Sequence, residues 1–372
     1  MHTTEILIIG GGVVGSSIAY HLARAGRGVH VIDRGEIAAE PSASWASAGG
    51  VRRQGRHRAE VALAIEASAR WQTLERELDA NLEYRRGGNL MLAESDADAQ
   101  RLAAFVERQQ RNGLSDVVFV DRHQVSELVP GIAPQVVAGS YCPGDGQADA
   151  VLTTRAFASA AERLGTKYLT ATTCDSLVLD GRRITGARTS RGAIEAETTV
   201  LAAGAWSLKL AAAVALDLPL RVEALQMIRS TIAPPNLLTP VLSSLGRALS
   251  LKQLPSGAFL LGGGWLGDLA DNGNRFRLRQ QSVDGNWNQA CAILPSVAEQ
   301  HLERAWCGLE AMSSDNLPLI GRVPQLDGIV LATGFSGHGF ALAPAVGRAV
   351  AELIEGKAVA EFDGIRPDRF LR

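Results

Sequence analysis

Cysteine is scarce in this chain and arranged for no metal. Its four cysteines, Cys142, Cys174, Cys291 and Cys307, lie far apart and form no CxxC pair. That excludes an iron–sulfur cluster or structural zinc held by this sequence and fits a reducing compartment. Long apolar runs are missing as well. No uninterrupted stretch reaches the ~18 residues that would cross a bilayer, and no leader-like segment precedes the first strand-like run at Ile6. The expectation is a cytoplasmic protein with no integral membrane segment. Positive charge is not in excess: a net charge of −2 and a pI near 6.4 make nucleic acid and anionic membranes unlikely general partners by field alone. There is no short-period repeat of the kind that builds a solenoid.

What the chain does have is length and apolar content for two cores, with 372 residues, 46% of them hydrophobic and 20% charged. Residues 6–9 are all apolar, as in a strand buried on both faces, and residues 14–25 carry helix formers. Between them stands G-x-G-x-x-G at Gly10, Gly12 and Gly15. Gly10 allows a sharp turn, Gly12 lets the backbone approach a pyrophosphate, and Gly15 lets the helix pack close to the strand. The helix start then offers unpaired N–H groups and the positive end of its dipole to an anion. A second strand over residues 29–33 ends at Asp33, near the expected place of a carboxylate that holds a ribose diol. The pattern predicts a dinucleotide site and does not choose between NAD and FAD.

Beyond this unit, residues 41–50 are small enough to lie against a ligand. Helices are expected over 59–78, 96–112, 121–129 and 153–164, and a turn enters a strand over 84–93. Residues 177–196 read as a meander with turns at Asp180-Gly181 and Arg191-Gly192, leading into a buried strand at 199–206. Strand-like runs at 222–230, 248–254, 259–264 and 302–307 suggest a separate sheet. A strand at 328–334 enters a second glycine-rich turn, 334–340, before a helix at 343–355. The fold class expected is α/β, a Rossmann-like domain joined to a mixed-sheet α+β domain that is discontinuous in sequence. The cofactor domain takes residues 1–80, 141–215 and 321–372, and the substrate domain 81–140 and 216–320. Arg52, Arg53, Arg56, His57 and Arg58 form a local basic cluster, suited to carboxylates or phosphates if it is not simply a solvated loop.

These segments, in this order, resemble the D-amino-acid oxidase superfamily of FAD-dependent amine oxidoreductases over nearly the whole chain. Residues 306–321, followed by the 334–340 turn, look like the branch holding sarcosine oxidase β subunits, the flavin subunit of hydrogen cyanide synthase and opine oxidase B subunits. The resemblance implies FAD, with adenine near Asp33, Arg34 and Cys174 and the pyrophosphate over Gly10, Gly12, Val13, Val14 and Gly15. It further implies contacts from Ser44, Trp45, Ala46, Val51, Ala203, Gly204, Trp206 and Gly308. The isoalloxazine is placed near Gly49, Gly50 and the turn residues Gly334, Ser336, Gly337, His338, Gly339 and Phe340. A second helix start there would stabilise charge developing at the flavin N1/C2 edge.

Departures from relatives narrow the chemistry. Gly308 stands where monomeric sarcosine oxidases have their flavin-linking cysteine, and Ala148 where heterotetrameric ones link FMN through histidine. Non-covalent FAD is therefore implied, with FMN at a subunit interface left open. Arg52 matches the relatives' carboxylate-holding arginine, but Ala341 replaces their lysine, so Lys252, Arg53, Arg56 or His57 would supply the second charge. The activity implied is oxidation of a secondary-amine amino acid, with hydride transfer from Cα–H to flavin N5 and hydrolysis of the imine to an amine and a 2-oxo acid. The favoured substrate is an opine such as octopine or nopaline, ahead of proline or hydroxyproline, sarcosine, glycine and D-amino acids. Catalytic candidates are Arg52, Lys252 and His338, the last as a base or as a flavin contact. No metal is expected. The implied partners are an α subunit and a small iron–sulfur subunit, and a non-catalytic FAD-holding subunit is the rival reading.

Overall fold

The computed structural model describes residues 2–370. Strand His2–Ile9 forms because Ile6, Leu7, Ile8 and Ile9 are all at most 3% exposed, and each such burial contributes roughly 1.5–3 kcal/mol. It pairs in parallel with Val29–Ile32 on one side and Gly192–Leu201 on the other. Lys167–Leu169 and Leu326–Thr333 extend the parallel core. The antiparallel meander of Cys174–Asp180, Arg183–Thr189 and Gly192–Leu201, together with Leu319–Val323, completes this first sheet of eight strands. Helices Val13–Arg24, Ala150–Arg163 and Gly339–Ile354 cover one face, sharing a core with Ile6, Ile8, Val200 and Val330, while Leu7, Ile9, Leu201 and Leu331 face the opposite core. Ser17 donates to the Ala343 carbonyl at 2.8 Å, fixing the first helix against the last.

The second sheet runs Leu302–Ser313, Leu220–Ile232, Ala258–Gly262, Ser250–Gln253, Val241–Ser244, Asn89–Ala93, Ala138–Cys142, Val118–Asp121. Only the pairing of Val241–Ser244 with Asn89–Ala93 is parallel. Its core gathers Leu90, Leu242, Leu251, Phe259 and Leu261. Helix Gln280–Ile293 packs there through Val283, Ala290 and Ile293. That helix was not expected, because Gln280, Gln281, Gly285 and Asn286 show no strong helical preference, and tertiary packing decides the segment. Strand Ala138–Cys142 reaches two residues past the expected domain boundary at 140, and Leu319–Val323 enters the first sheet two residues before the boundary at 321. The last helix begins at Gly339 rather than 343 and runs through Pro344, which brings its N-terminus to the end of the parallel strands. Among the described residues, no helix is long and apolar enough to cross a membrane.

Candidate active site

The first strand ends in a turn whose glycines have separable jobs. Gly10 has φ +106°, and a Cβ there would run into the Ala202 carbonyl, while a Cβ at Gly15 would strike the Gly10 carbonyl. Both are required by packing. Gly12 differs: a Cβ would meet only Ser44 Oγ, at 3.1 Å, so this position faces open space. Gly12 is also the N-cap of helix Val13–Arg24, with no capping side chain of its own and no acidic residue in the first turn. Ser44 Oγ accepts from the Val13 N–H at 2.9 Å. Asp33 is held at the next strand end by the Gly11 N–H at 2.8 Å and the Gly35 N–H at 2.9 Å, and burial raises its pKa against those two bonds.

These residues open onto a cavity of about 1030 Å³, lined by Gly10, Gly12, Val13, Val14, Asp33 and Arg34 at one side. Ser44, Cys174, Ala203, Gly204 and Trp206 line it too. Arg34 lies 4.8 Å over the Trp206 ring, and both side chains donate to Asn274 Oδ1 at 2.9 Å, which builds a rigid flat rim. Burial pushes the Cys174 thiol up to about 12, so it is an inert wall. The far end is formed by Gly334, Gly337, Gly339 and Phe340, where helix Gly339–Ile354 starts without a side-chain cap. A long cleft with a helix N-terminus at each end, a bare glycine approach and a fixed carboxylate fits FAD in length and charge.

Against the Gly337 and Phe340 end lies a second cavity of about 320 Å³. Ala46, Gly50, Arg52, Arg56, Gln226, Ser243, Gly308 and Glu310 line it, and Glu310, Gly337 and Phe340 line both cavities. Of the five basic residues at 52–58, only Arg52 and Arg56 are here. Arg53 is paired with Asp145 at 3.0 Å and Asp116 at 2.6 Å. His57 is exposed and caps helix Arg58–Leu78 by accepting from the Ala59 N–H, and Arg58 is exposed. Arg52 and Arg56 have no carboxylate partner among the described ion pairs, and burial lowers the pKa of each. The Arg56 Nη1, both amide atoms of Gln226 and the Ser243 hydroxyl have no hydrogen-bond partner among the described residues. Polar atoms buried in that state are costly unless a ligand engages them.

The remaining expected residues stand outside both cavities. Trp45 packs edge-on against Trp306, Val51 is in the core, and Ser336 turns its hydroxyl to the Ser313 N–H at 3.0 Å. Gly15 and Gly49 serve close backbone contacts, with Gly49 against the Ala148 carbonyl. His338 does not line either cavity; its Nδ1 lies 2.9 and 3.1 Å from the two oxygens of the fully buried Glu60. Burial and the charges of Arg56 and Arg52 outweigh Glu60 and bring its pKa down to about 4, so a neutral imidazole braces the turn from behind. Glu310 and Gln226 were not singled out from sequence; the available signal was a carboxyl inside the otherwise small and apolar run 307–311.

Lys252 also lies outside both cavities, buried at 3% exposure with Nζ against Gly49, and burial lowers its pKa to about 8. A folded-state pKa below the unfolded one means that the buried charge is a full penalty below pH 8 and fades as pH rises toward 10.5. Lys252→Met should therefore stabilise the protein at pH 7 by on the order of 2 kcal/mol. The gain should shrink above pH 8, as followed by thermal unfolding across pH; a loss of stability at pH 7 would show that the ammonium is satisfied.

The sequence pattern of the family described as FAD dependent oxidoreductase (DAO) matches residues 5–353. A glycine oxidase of Bacillus licheniformis is 28% identical over 365 residues, covering 95% of this chain and 94% of that protein. The B subunit of an opine oxidase of Agrobacterium tumefaciens is 28% identical over 349 residues, covering 91% and 90%. Among solved structures, an L-proline dehydrogenase from P. horikoshii superposes with a TM-score of 0.91 at 29% identity, covering 100% of both chains.

Proposed function

The chain belongs to the DAO family of FAD-dependent oxidoreductases, and we propose that it oxidises the C–N bond of an amino acid bearing a secondary amine. In this reading FAD occupies the large cavity and the amino acid the small one. The observation that carries it is the small cavity itself, which adjoins the Gly337 and Phe340 end of the cleft and holds two buried arginines without carboxylate partners. FAD, when bound, accepts the two electrons and the hydride removed from substrate. The backbone at Gly10, Gly12, Val13 and Val14 holds its pyrophosphate, Asp33 the ribose, and the Arg34–Trp206 rim with Cys174 the adenine. The 334–340 turn, with Gly50, borders the flavin. Arg52 and Arg56 fix the substrate carboxylate so that the Cα–H bond is aimed at the large cavity, and the closed walls keep bulk water away until the imine product is released and hydrolysed.

The division of labour follows the two sheets, the first with its helices carrying the cofactor and the second the substrate. FAD is held without a covalent bond: a side chain at Gly308 would collide with Ala46, and among the described residues the only cysteine lining either cavity is Cys174, at the adenine end. Two adjacent cations exceed what one carboxylate requires, and about 320 Å³ exceeds what a two-carbon amino acid fills. An opine, with two carboxylates on one secondary amine, fits both. The similarity to the B subunit of an opine oxidase supports this, and supports a hetero-oligomer in which an α subunit and an iron–sulfur subunit, with FMN at an interface, receive the electrons. The comparison of kcat/KM for octopine, nopaline, proline, sarcosine, glycine and D-alanine with an artificial acceptor checks the assignment. An opine should lead by at least about tenfold, as an added charged contact warrants. A one-carboxylate substrate in front would end the opine reading and leave amine oxidation standing.

A further inference from the structure

Glu310 is the residue whose position nothing above explains. It lies on strand Leu302–Ser313, which walls the two cavities apart, and lines both. Its surface that is not wrapped by protein therefore faces those cavities. Its only hydrogen bond among the described residues is from the Gly337 N–H, at 2.8 Å, and no arginine or lysine among them forms an ion pair with it. The residue directly across the antiparallel ladder is Glu223, a second carboxylate, which is itself tied to Arg221 at 2.8 Å. Like charges at opposed positions are unfavourable, and a carboxyl removed from water without a cation is more so. The opposite side of the small cavity carries Arg52 and Arg56, again without carboxylate partners. Cations at one end and a lone carboxyl at the flavin-facing end match a ligand with a carboxylate at one end and an amine at the other.

We propose that Glu310 receives the substrate's ammonium group and takes its proton, so that an amino acid enters as a zwitterion and is presented for oxidation as the free amine. The step is a proton transfer, R2NH2+ plus Glu310 carboxylate giving R2NH plus the Glu310 acid, with no change of oxidation state. It rests on the amino-acid reading and adds the group that recognises the nitrogen. Burial pushes the Glu310 carboxyl up to about 7, with Glu223 adding to the rise and the Gly337 N–H opposing it. That places it where a proton acceptor works best near neutral pH. Its other charged surroundings are Arg52 and Arg56 across the cavity and Arg221 behind Glu223; the neutral His338 is held away by Glu60.

The test uses the FAD-loaded protein and two probes that cannot be oxidised at Cα, 2-aminoisobutyrate, which has an amine but no Cα–H, and isobutyrate, which has neither amine nor charge there. In calorimetric titrations Glu310→Gln should weaken 2-aminoisobutyrate by about tenfold or more, the usual loss for a charged hydrogen bond, and leave isobutyrate within about twofold. Equal changes for both probes, or no change for either, would overturn the proposal. If wild-type protein bound neither, the amino-acid reading would fall first and this inference with it. With any oxidised substrate, kcat/KM of the wild type should rise with pH through about 7, as Glu310 ionises. In Glu310→Gln that limb should move toward the pKa of the substrate's own ammonium group; an unmoved limb would show that Glu310 does not take the proton.

Discussion

Arg52→Ala is expected to raise KM on the order of 10²-fold or more, with a smaller fall in kcat and with FAD retained. Truncating one partner of a desolvated charge pair costs about 2–5 kcal/mol, because the substrate carboxylate is left buried against one cation instead of two. Arg52 has no structural ion pair to lose: its neighbours Arg53 and Asp145 are engaged with each other at 3.0 Å. Its removal therefore leaves no orphaned protein carboxylate, and thermal stability should stay level or rise, as burial already disfavours its charge. Arg56→Ala should act in the same direction but also free the Arg52 carbonyl that its Nε holds at 3.1 Å. Steady-state kinetics of the two variants and of the double variant separate the effects. Unchanged KM for Arg52→Ala with the preferred substrate would move the carboxylate elsewhere and remove the reason for assigning the small cavity to an amino acid.

Gly12→Val should yield a folded protein without FAD. The backbone at Gly12, φ −65° and ψ 178°, is open to any residue, and its only close neighbour is Ser44 Oγ at 3.1 Å, so the chain tolerates a side chain there. The pyrophosphate does not, since the added methyl groups would occupy the face of the helix start that the anion must touch. Gly15→Val is the contrasting case, for its side chain would strike the Gly10 carbonyl and part the first helix from the first strand. Far-ultraviolet circular dichroism and the visible spectrum read the two outcomes together: native-like folding without yellow colour for Gly12→Val, and loss of folding for Gly15→Val. Wild-type colour should leave the protein on acid precipitation. Full FAD content in folded Gly12→Val would move the pyrophosphate away from this turn.

The cofactor half of the site was legible in the sequence because its signals are local. Gly10, Gly12 and Gly15 follow one strand within a single turn, and Asp33 ends the next strand, so spacing alone carries the geometry. The substrate half was legible only in part. Arg52, Arg53, Arg56, His57 and Arg58 are indistinguishable as sequence; what sorts them is Asp116 and Asp145, which arrive from distant segments and neutralise Arg53. Lys252 looked available as a charged residue in a strand, and the fold turns it against Gly49, outside both cavities. Glu310 gained meaning only when Leu302–Ser313 was found to form the wall between two cavities, an arrangement that needs both sheets in place. The short strands Val118–Asp121, Ala138–Cys142 and Val241–Ser244 escaped for a related reason, since each is four or five residues long and is fixed by its partners in the sheet more than by its own pattern.

Anaerobic titration of the FAD-loaded protein with octopine, nopaline, proline, sarcosine, glycine and D-alanine, followed at the oxidised-flavin band near ~450 nm, joins the two cavities in one observation. Loss of the band on adding a secondary-amine amino acid, with no loss in the presence of the same acid lacking its amine, is the expected result. A band that no member of the series diminishes would mean that the cavity beside the flavin end is not an amino-acid site.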